Sequence, residues 1–339
     1  MMSPSRCPEP TDGPGDGPRV VCAGIAVADV VVHPVRQPLP LGQVQLVEGI
    51  ELHAGGCALT TATGLRALGA DVGMTAAVGQ DSFGQFLLQV ALNRGIDRGG
   101  ITRLEHVPTS SSVVAVDDHG ERTFLHLPGC SDHLDETHVR ASLTPDLEWL
   151  HLAGLLVTAR LDGPPAAALL RDAKQAGARV SADVVWDARG RWDLVHPCLE
   201  YLDVFSPSED EALAISGRAS VPEAARWLHD QGVEVVAITR GGDGAHVSDG
   251  RDAWDIPAAA VEVRDGTGAG DCFAAGLIGG LLDGFELPRA AALASVLGGI
   301  AVSSVGAPTA FPDRPALLAA ADELLDEVSP SRPLLPEDH

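Results

Sequence analysis

The chain has 339 residues, 45% of them apolar, with 23 Lys plus Arg against 47 Asp plus Glu for a formal net charge of -24. That length and apolar content support one large buried core. The acidic balance repels phosphate backbones and anionic lipid surfaces, so neither nucleic acid nor a membrane surface is an expected partner. The six cysteines (Cys7, Cys22, Cys57, Cys130, Cys198, Cys272) form no CxxC pair, and the 12 histidines show no HExxH. We read reduced thiols in a cytoplasmic protein, without a structural zinc site.

Residues 1–18 are rich in Pro, Gly and acid and lack an apolar signal region, which predicts a disordered tail. Arg19 to Val32 is then a near-continuous apolar run, broken by Gly24 and Asp29, that predicts a central buried strand. Segments 35–53 and 109–127 alternate in polarity, and the second contains an Asp-Asp-His-Gly turn, so a small β-sheet lid is expected there. Further strand-like runs span 147–156, 178–185, 202–208 and 233–247. Helical patterns lie between them at Pro164 to Gly177, Ser208 to Ser216 and Val221 to Gly232. Alternation of this kind predicts an α/β fold, a doubly wound and mostly parallel sheet flanked by helices, with its active site at the strand carboxyl ends. Ala290 to Phe311 has no charge, but its Ala, Gly and Ser content fits a helix buried against the sheet better than a membrane span. The folded domain is expected over 19–328, followed by an acidic, proline-containing flexible tail at 329–339.

The most informative stretch is Asp265-Gly266-Thr267-Gly268-Ala269-Gly270-Asp271, set between a strand ending near Arg264 and a helix expected to begin around Asp271. Read alone, it is a glycine-rich turn with an ordinary N-cap. Its glycines also permit backbone amides and the positive end of a helix to converge on an anion. No GxxxxGK[ST] is present, so there is no Walker-type lysine. A carboxylate beside an anion cradle suggests a base that deprotonates an attacking hydroxyl during phosphoryl transfer.

DGTGAGDCFAAG resembles the C-terminal signature of the ribokinase family of carbohydrate kinases, also called the PfkB family. GIAVAD (24–29) is similar to the family's first strand end, and HAGGCALTTATGLRALGA to its double-glycine signature. VGQDSFG (78–84), PSEDEA (207–212) and TRGGDGA (239–245) match three further elements in the family's order. The resemblance spans about Val20 to Val328. It implies an ATP-dependent kinase that phosphorylates a hydroxyl, expected to be primary, of a sugar, with Mg2+ and K+ as cofactors.

By this resemblance Asp271 is the catalytic base, and the amides of Gly268, Ala269 and Gly270 form the anion hole. Asp29, Gly55, Gly56 and Thr60 would contact sugar, while Ser208, Thr239, Gly241, Gly244 and Ser295 would line the nucleotide. Glu211 would order water around Mg2+. Asp265 and Thr267, with carbonyls near Ala301, Ser304 and Gly306, resemble the family's monovalent cation site. Thr60 stands where the family carries asparagine and lacks the amide's paired donor and acceptor. Ser208 likewise replaces an asparagine, Gly266 a threonine, and Ser295 occupies an adenine-side asparagine position. Asp183 and Trp192 could border the sugar, with Trp192 read as core. Arg122 is read as part of a solvated charge cluster.

Two other readings stand beside the sugar kinase. A nucleoside kinase of the same family would need aromatic rings over the substrate, and the single Tyr and 4% aromatic content offer few. A sugar-binding regulator on a kinase scaffold would have no need of Asp271. Exposed lid strands offer edges through which a homodimer could pair.

Overall fold

The computed structural model describes residues 17–36, 41–118, 122–303, 306–308 and 310–331. In chain order its first half forms β1 (Val20–Gly24), β2 (Val27–His33), β3 (Gly49–Gly55), α1 (Cys57–Ala67), β4 (Val72–Gly79), α2 (Ser82–Asn93), β5 (Ile101–Leu104), β6 (Ser111–Val116), β7 (Arg122–Leu127), α3 (Glu136–Arg140) and β8 (Trp149–Leu155). The second half forms α4 (Pro164–Gln175), β9 (Arg179–Val184), α5 (His196–Leu199), β10 (Val204–Phe205), α6 (Glu209–Ser216), α7 (Val221–Asp230), β11 (Val235–Thr239), β12 (Ala245–Ser248), β13 (Ala253–Ile256), α8 (Ala269–Leu282), α9 (Leu287–Val302), α10 (Arg314–Leu325) and β14 (Ser329–Pro330).

Ten strands make one sheet in the order β14-β13-β12-β11-β10-β9-β8-β1-β4-β5. From β11 to β5 every neighbouring pair is parallel, and β12, β13 and β14 add antiparallel at one edge. The parallel strands are buried on both faces, as such sheets require. Alternate residues of β1 show how: Val20 and Cys22 join a core with α1, α8 and α9, whereas Val21 and Ala23 join one with α4, α6 and α7. The expected α/β fold is therefore present. Ser329–Pro330 pairs with Trp254–Asp255, so the sheet edge extends two residues into the segment expected to be tail.

The run Arg19 to Val32 is not the single strand expected. It breaks at Ile25-Ala26 and serves two sheets, β1 in the large one and β2 in a four-stranded sheet ordered β3-β2-β6-β7. Continuous hydrophobicity hid the break, because Val27, Ala28 and Val31 are buried although they have left the central sheet. The hairpin expected at 109–127 is β6 and β7, and the 35–53 segment supplies β3 only at its end. The turn residues 119–121 and residues 37–40 lie outside the described residues.

The charge-free run becomes α9, packed against α8 rather than spanning a bilayer. No described helix is long and apolar enough to cross a membrane. The glycines of α8 are needed for this packing: a Cβ on Gly276 would lie 2.5 Å from the Cα of Ala294, and one on Gly280 would lie 2.8 Å from the Cα of Ala290. A Cβ on Gly64 of α1 would reach the Cβ of Ala275 at 2.6 Å. Three helices thus approach closely beneath the loop that precedes α8.

Candidate active site

The smaller sheet brings a row of polar side chains across all four of its strands. Asp29 of β2 pairs in register with His53 of β3 and Ser112 of β6, and Ser112 pairs with His126 of β7. Ser112 Oγ and His126 Nδ1 are 3.1 Å apart. Burial pushes the Asp29 carboxyl up, opposed by a hydrogen bond from Ser112 and by the nearby imidazoles of His126 and His53. With Ser112 donating to Asp29, its oxygen is left to accept from His126 Nδ1–H, and the carboxylate is held in place.

The double glycine makes room for this carboxylate. A Cβ on Gly55 would lie 2.6 Å from Asp29 Oδ2. Gly56 has φ 91°, and a Cβ there would lie 2.6 Å from the carbonyl oxygen of Ile25, at the point where the chain crosses between sheets. Both glycines are required by contact rather than by turn preference alone.

In the large domain, α8 begins at Ala269, two residues earlier than expected. Gly268 is its N-cap in the left-handed region, with φ 77°, and Asp271 is the third helical residue rather than the cap. First-turn amides of a helix have no intrahelical partner, which leaves Gly268 and Gly270 available to an anion. The Ala269 amide instead closes a turn onto the Gly266 carbonyl at 3.3 Å. Thr60 is buried, and a Cβ on Gly268 would be 3.1 Å from its γ-methyl, so Thr60 underlies the loop. The neighbouring Thr61 Oγ1 donates to the Asp271 carbonyl at 3.2 Å.

Asp271 is pushed up to about 7 by burial and by the nearby carboxylate of Asp183, with the charge of Glu211 adding to both. Cys57, the first residue of α1, donates a hydrogen bond to it, which acts the other way. Burial and the charge of Asp271 in turn push the Cys57 thiol up, so it stays protonated. Asp183, the penultimate residue of β9, accepts a hydrogen bond from the Gly154 amide. Trp192 is half-buried, edge-on to Trp186 with ring centroids 5.1 Å apart.

Of the residues expected to line a nucleotide, Ser208 and Thr239 lie where the chain leaves β10 and β11, and Gly241 and Gly244 lie in the β11–β12 connection. Ser208 and Thr239 form an isolated bridge, and the Thr239 amide donates to the Pro207 carbonyl at 3.0 Å. Gly244 has φ 80°, and a Cβ there would fall 1.9 Å from the Ile256 carbonyl oxygen. Gly241, with φ 56°, faces open space. Ser295 of α9 donates to the Pro257 carbonyl at 2.6 Å, which ties the helix to the chain leaving β13. Glu211 is buried; its carboxylate accepts from the Ser208 amide at 2.8 Å, and burial pushes it up against that bond.

Asp265 organises the cation candidates. Its Oδ1 accepts from the amide of Thr267 at 2.9 Å and from its hydroxyl at 2.8 Å, while Oδ2 accepts from the Gly306 amide. The amides of Arg264 and Asp265 both donate to the Val302 carbonyl, so the loop is stitched to the end of α9, one residue past Ala301. Ser304 lies outside the described residues, as does the side chain of Arg122. The acidic side chains fall in two groups near enough to feel one another's charge: Asp29 with Asp265, and Asp271 with Asp183 and Glu211. Carboxylate oxygens are the donor type that a hard cation such as Mg2+ takes.

Sequence reasoning left Cys57, His53, Ser112 and His126 out of the site and gave Asp183 only a bordering place. A strand-end aspartate in an apolar run and a cysteine directly after a double glycine were visible signals. The imidazoles were not, because only strand register aligns them with Asp29.

A profile of the pfkB family carbohydrate kinases matches residues 18–314. Fructokinase from Escherichia coli is 30% identical over 275 residues, which cover 77% of this chain and 89% of that enzyme. Among solved structures, Arabidopsis thaliana ribokinase complexed with ribose and ATP superposes with a TM-score of 0.76 at 22% identity, covering 90% of this chain and 99% of that one. A proposed ribokinase II from E. coli in complex with ATP and Mg2+ gives 0.77 at 24% identity, covering 91% and 99%. With a matching profile over most of its length and the ribokinase-like architecture beneath it, the chain belongs to the pfkB family of carbohydrate kinases.

Proposed function

We propose that this protein transfers the γ-phosphoryl group of ATP to a hydroxyl, primary in the simplest case, of a sugar or sugar derivative. The observation that carries this reading is Asp271, a carboxylate with a raised pKa at the N-terminal turn of α8. There a base and an anion cradle share one helix end. Asp271 takes the proton of the attacking hydroxyl as the bond to phosphorus forms, which is matched to neutral pH by a pKa near 7. The first-turn amides of Gly268 and Gly270 stabilise charge on the transferred group, with Ala269 shaping their turn. Asp29, fixed by Ser112, accepts hydrogen bonds from sugar hydroxyls. Gly55 and Gly56 let the substrate approach the backbone, and Thr60 supports the cradle.

Ser208, Thr239, Gly241, Gly244 and Ser295 line the nucleotide side. Mg2+, when bound to ATP, supplies charge neutralisation on the phosphates, and Glu211 would orient its water. Asp265 and Thr267, with carbonyls of Ala301, Ser304 and Gly306, would hold K+ and so brace the loop. The small sheet acts as a lid that excludes water. A second copy of the chain is proposed to cover its outer face, and a cytoplasmic location accords with the free, buried cysteines Cys22, Cys57, Cys130, Cys198 and Cys272.

A nucleoside kinase is the second reading, favoured by Phe124. It is exposed and in register with Val114 and Val31, on the Asp29 face of the small sheet. A sugar-binding regulator is the third, and the retained base argues against it. ATP consumption with Mg2+ and K+ against pentoses, hexoses, keto-sugar acids and nucleosides separates the three. Turnover on one class that collapses in Asp271→Asn supports the kinase. No turnover, with a sugar still raising the melting temperature, favours the regulator.

A further inference from the structure

Cys57, Asp183 and Asp271 come from three different elements, α1, β9 and α8, yet one ligand atom of each lies within 4.8 Å of the other two. A thiol with two carboxylates is not a magnesium or calcium set, since those ions take oxygen ligands. Sulfur and oxygen donors at this separation suit a borderline, thiophilic divalent ion such as Zn2+.

A second observation points to a ligand at the same place. Asp183 is only 5% exposed, and its Oδ2 has no hydrogen-bond partner. Its other oxygen accepts from the Gly154 amide. Behind it stands His151 Nε2 at 3.4 Å, also buried and without a hydrogen-bond partner. Trp149 Nε1 donates to Ser181 Oγ at 2.8 Å, and the same Oγ lies 2.8 Å from His151 Nδ1. A buried carboxylate oxygen left without a hydrogen bond is costly, and an ion held by the three side chains would satisfy it.

We propose that Cys57, Asp183 and Asp271 form a site for a thiophilic divalent cation, with Zn2+ as the reference ion, which blocks the enzyme by occupying the carboxylate of Asp271. On binding, the Cys57 thiol releases its proton to solvent and becomes the thiolate ligand, both carboxylates bind ionised, and no electrons are transferred. A fourth position stays open to water or to a substrate hydroxyl. Only the inhibitory consequence rests on the proposed role of Asp271; binding does not.

The test uses the full-length protein without nucleotide. ZnCl2 titration by calorimetry gives one ion per chain, and CoCl2 produces a thiolate-to-cobalt charge-transfer band. In Cys57→Ser and Cys57→Ala the band disappears and Zn2+ binds about tenfold more weakly or worse, about 1.4 kcal/mol. Asp183→Asn weakens binding similarly, with circular dichroism showing that each variant is folded. In turnover assays the Zn2+ concentration for half-inhibition rises by the same factor in Cys57→Ser, relative to its own zinc-free rate. Unchanged Zn2+ affinity in both cysteine variants overturns the site, as does absence of a cobalt band in the wild type. Cysteine-dependent binding without inhibition overturns the regulatory half. The cobalt band needs no turnover, so failure of the kinase reading and failure of this site give different results.

Discussion

Asp271 is half-buried near Asp183, and its partial burial together with that second carboxylate pushes its carboxyl up to about 7. A base works ionised, so kcat/KM should rise through pH 7 and level off above it. Below that point it should fall tenfold for each pH unit. Asp183→Asn removes a like charge, which lets Asp271 ionise at lower pH. The acid limb of the variant should therefore move to lower pH, read from kcat/KM profiles between about pH 5 and 9. An unmoved limb would mean that another group controls it.

Asp271→Asn should lower kcat by about 10²–10⁴, the usual contribution of a general base. The same substitution should stabilise the fold. Because the folded-state pKa is raised above the ordinary value of 3.8, the native state binds the proton more tightly across pH 3.8 to about 7. The stability this group contributes is thus present below 3.8 and lost as pH rises through 7. The variant should melt higher than wild type by roughly 2 °C or more at pH 8, with the difference shrinking at pH 5. Differential scanning fluorimetry at both values checks this.

The parallel sheet and its flanking helices were legible because strand runs and helical periods alternate, as in 147–156 followed by 164–177. The strand break at Ile25-Ala26 was not, since an apolar residue reads alike in either sheet. Asp271 was recognisable from the glycines around it, and Asp29 from its place in GIAVAD. What gathers around them depends on long-range pairing. Cys57 and Asp183 are 126 positions apart in the chain and meet only through the parallel stacking of β9, β8 and β1 beneath α1. Thr60, expected to touch sugar, lies under Gly268 because α1 turns that residue toward α8.

Two glycine substitutions should separate the two halves of the cleft. In Gly55→Ala the new methyl falls 2.6 Å from Asp29 Oδ2, so the carboxylate must move. KM for the sugar should rise about tenfold or more, equal to about 1.4 kcal/mol, with KM for ATP little changed. In Gly244→Ala the methyl falls 1.9 Å from the Ile256 carbonyl at a φ of 80°, which displaces the β11–β12 connection. There KM for ATP should rise instead, along with a loss of stability of about 1–3 kcal/mol. Initial-rate kinetics with each substrate varied in turn distinguish the two patterns.

The outer face of the small sheet sets an expectation for assembly. Val30 pairs in register with Leu52 and Val113, Val113 with Leu125, and Val32 with Ile50, so these side chains share the face opposite Asp29. Ile50 and Leu125 are each 69% exposed, an apolar strip on a chain whose net charge is -24. Apolar surface of that kind is covered when a partner removes it from water, at about 25 cal/mol per Å². A second copy presents the same strip, and a two-fold contact would match it to itself. Sedimentation equilibrium at micromolar concentration should give twice the 35.0 kDa chain mass. Leu125→Glu, which places like charges across the two-fold, should return it to a monomer while leaving the melting temperature of the large domain within a few degrees. A wild-type monomer at tens of micromolar would remove the dimer and leave the lid to close alone.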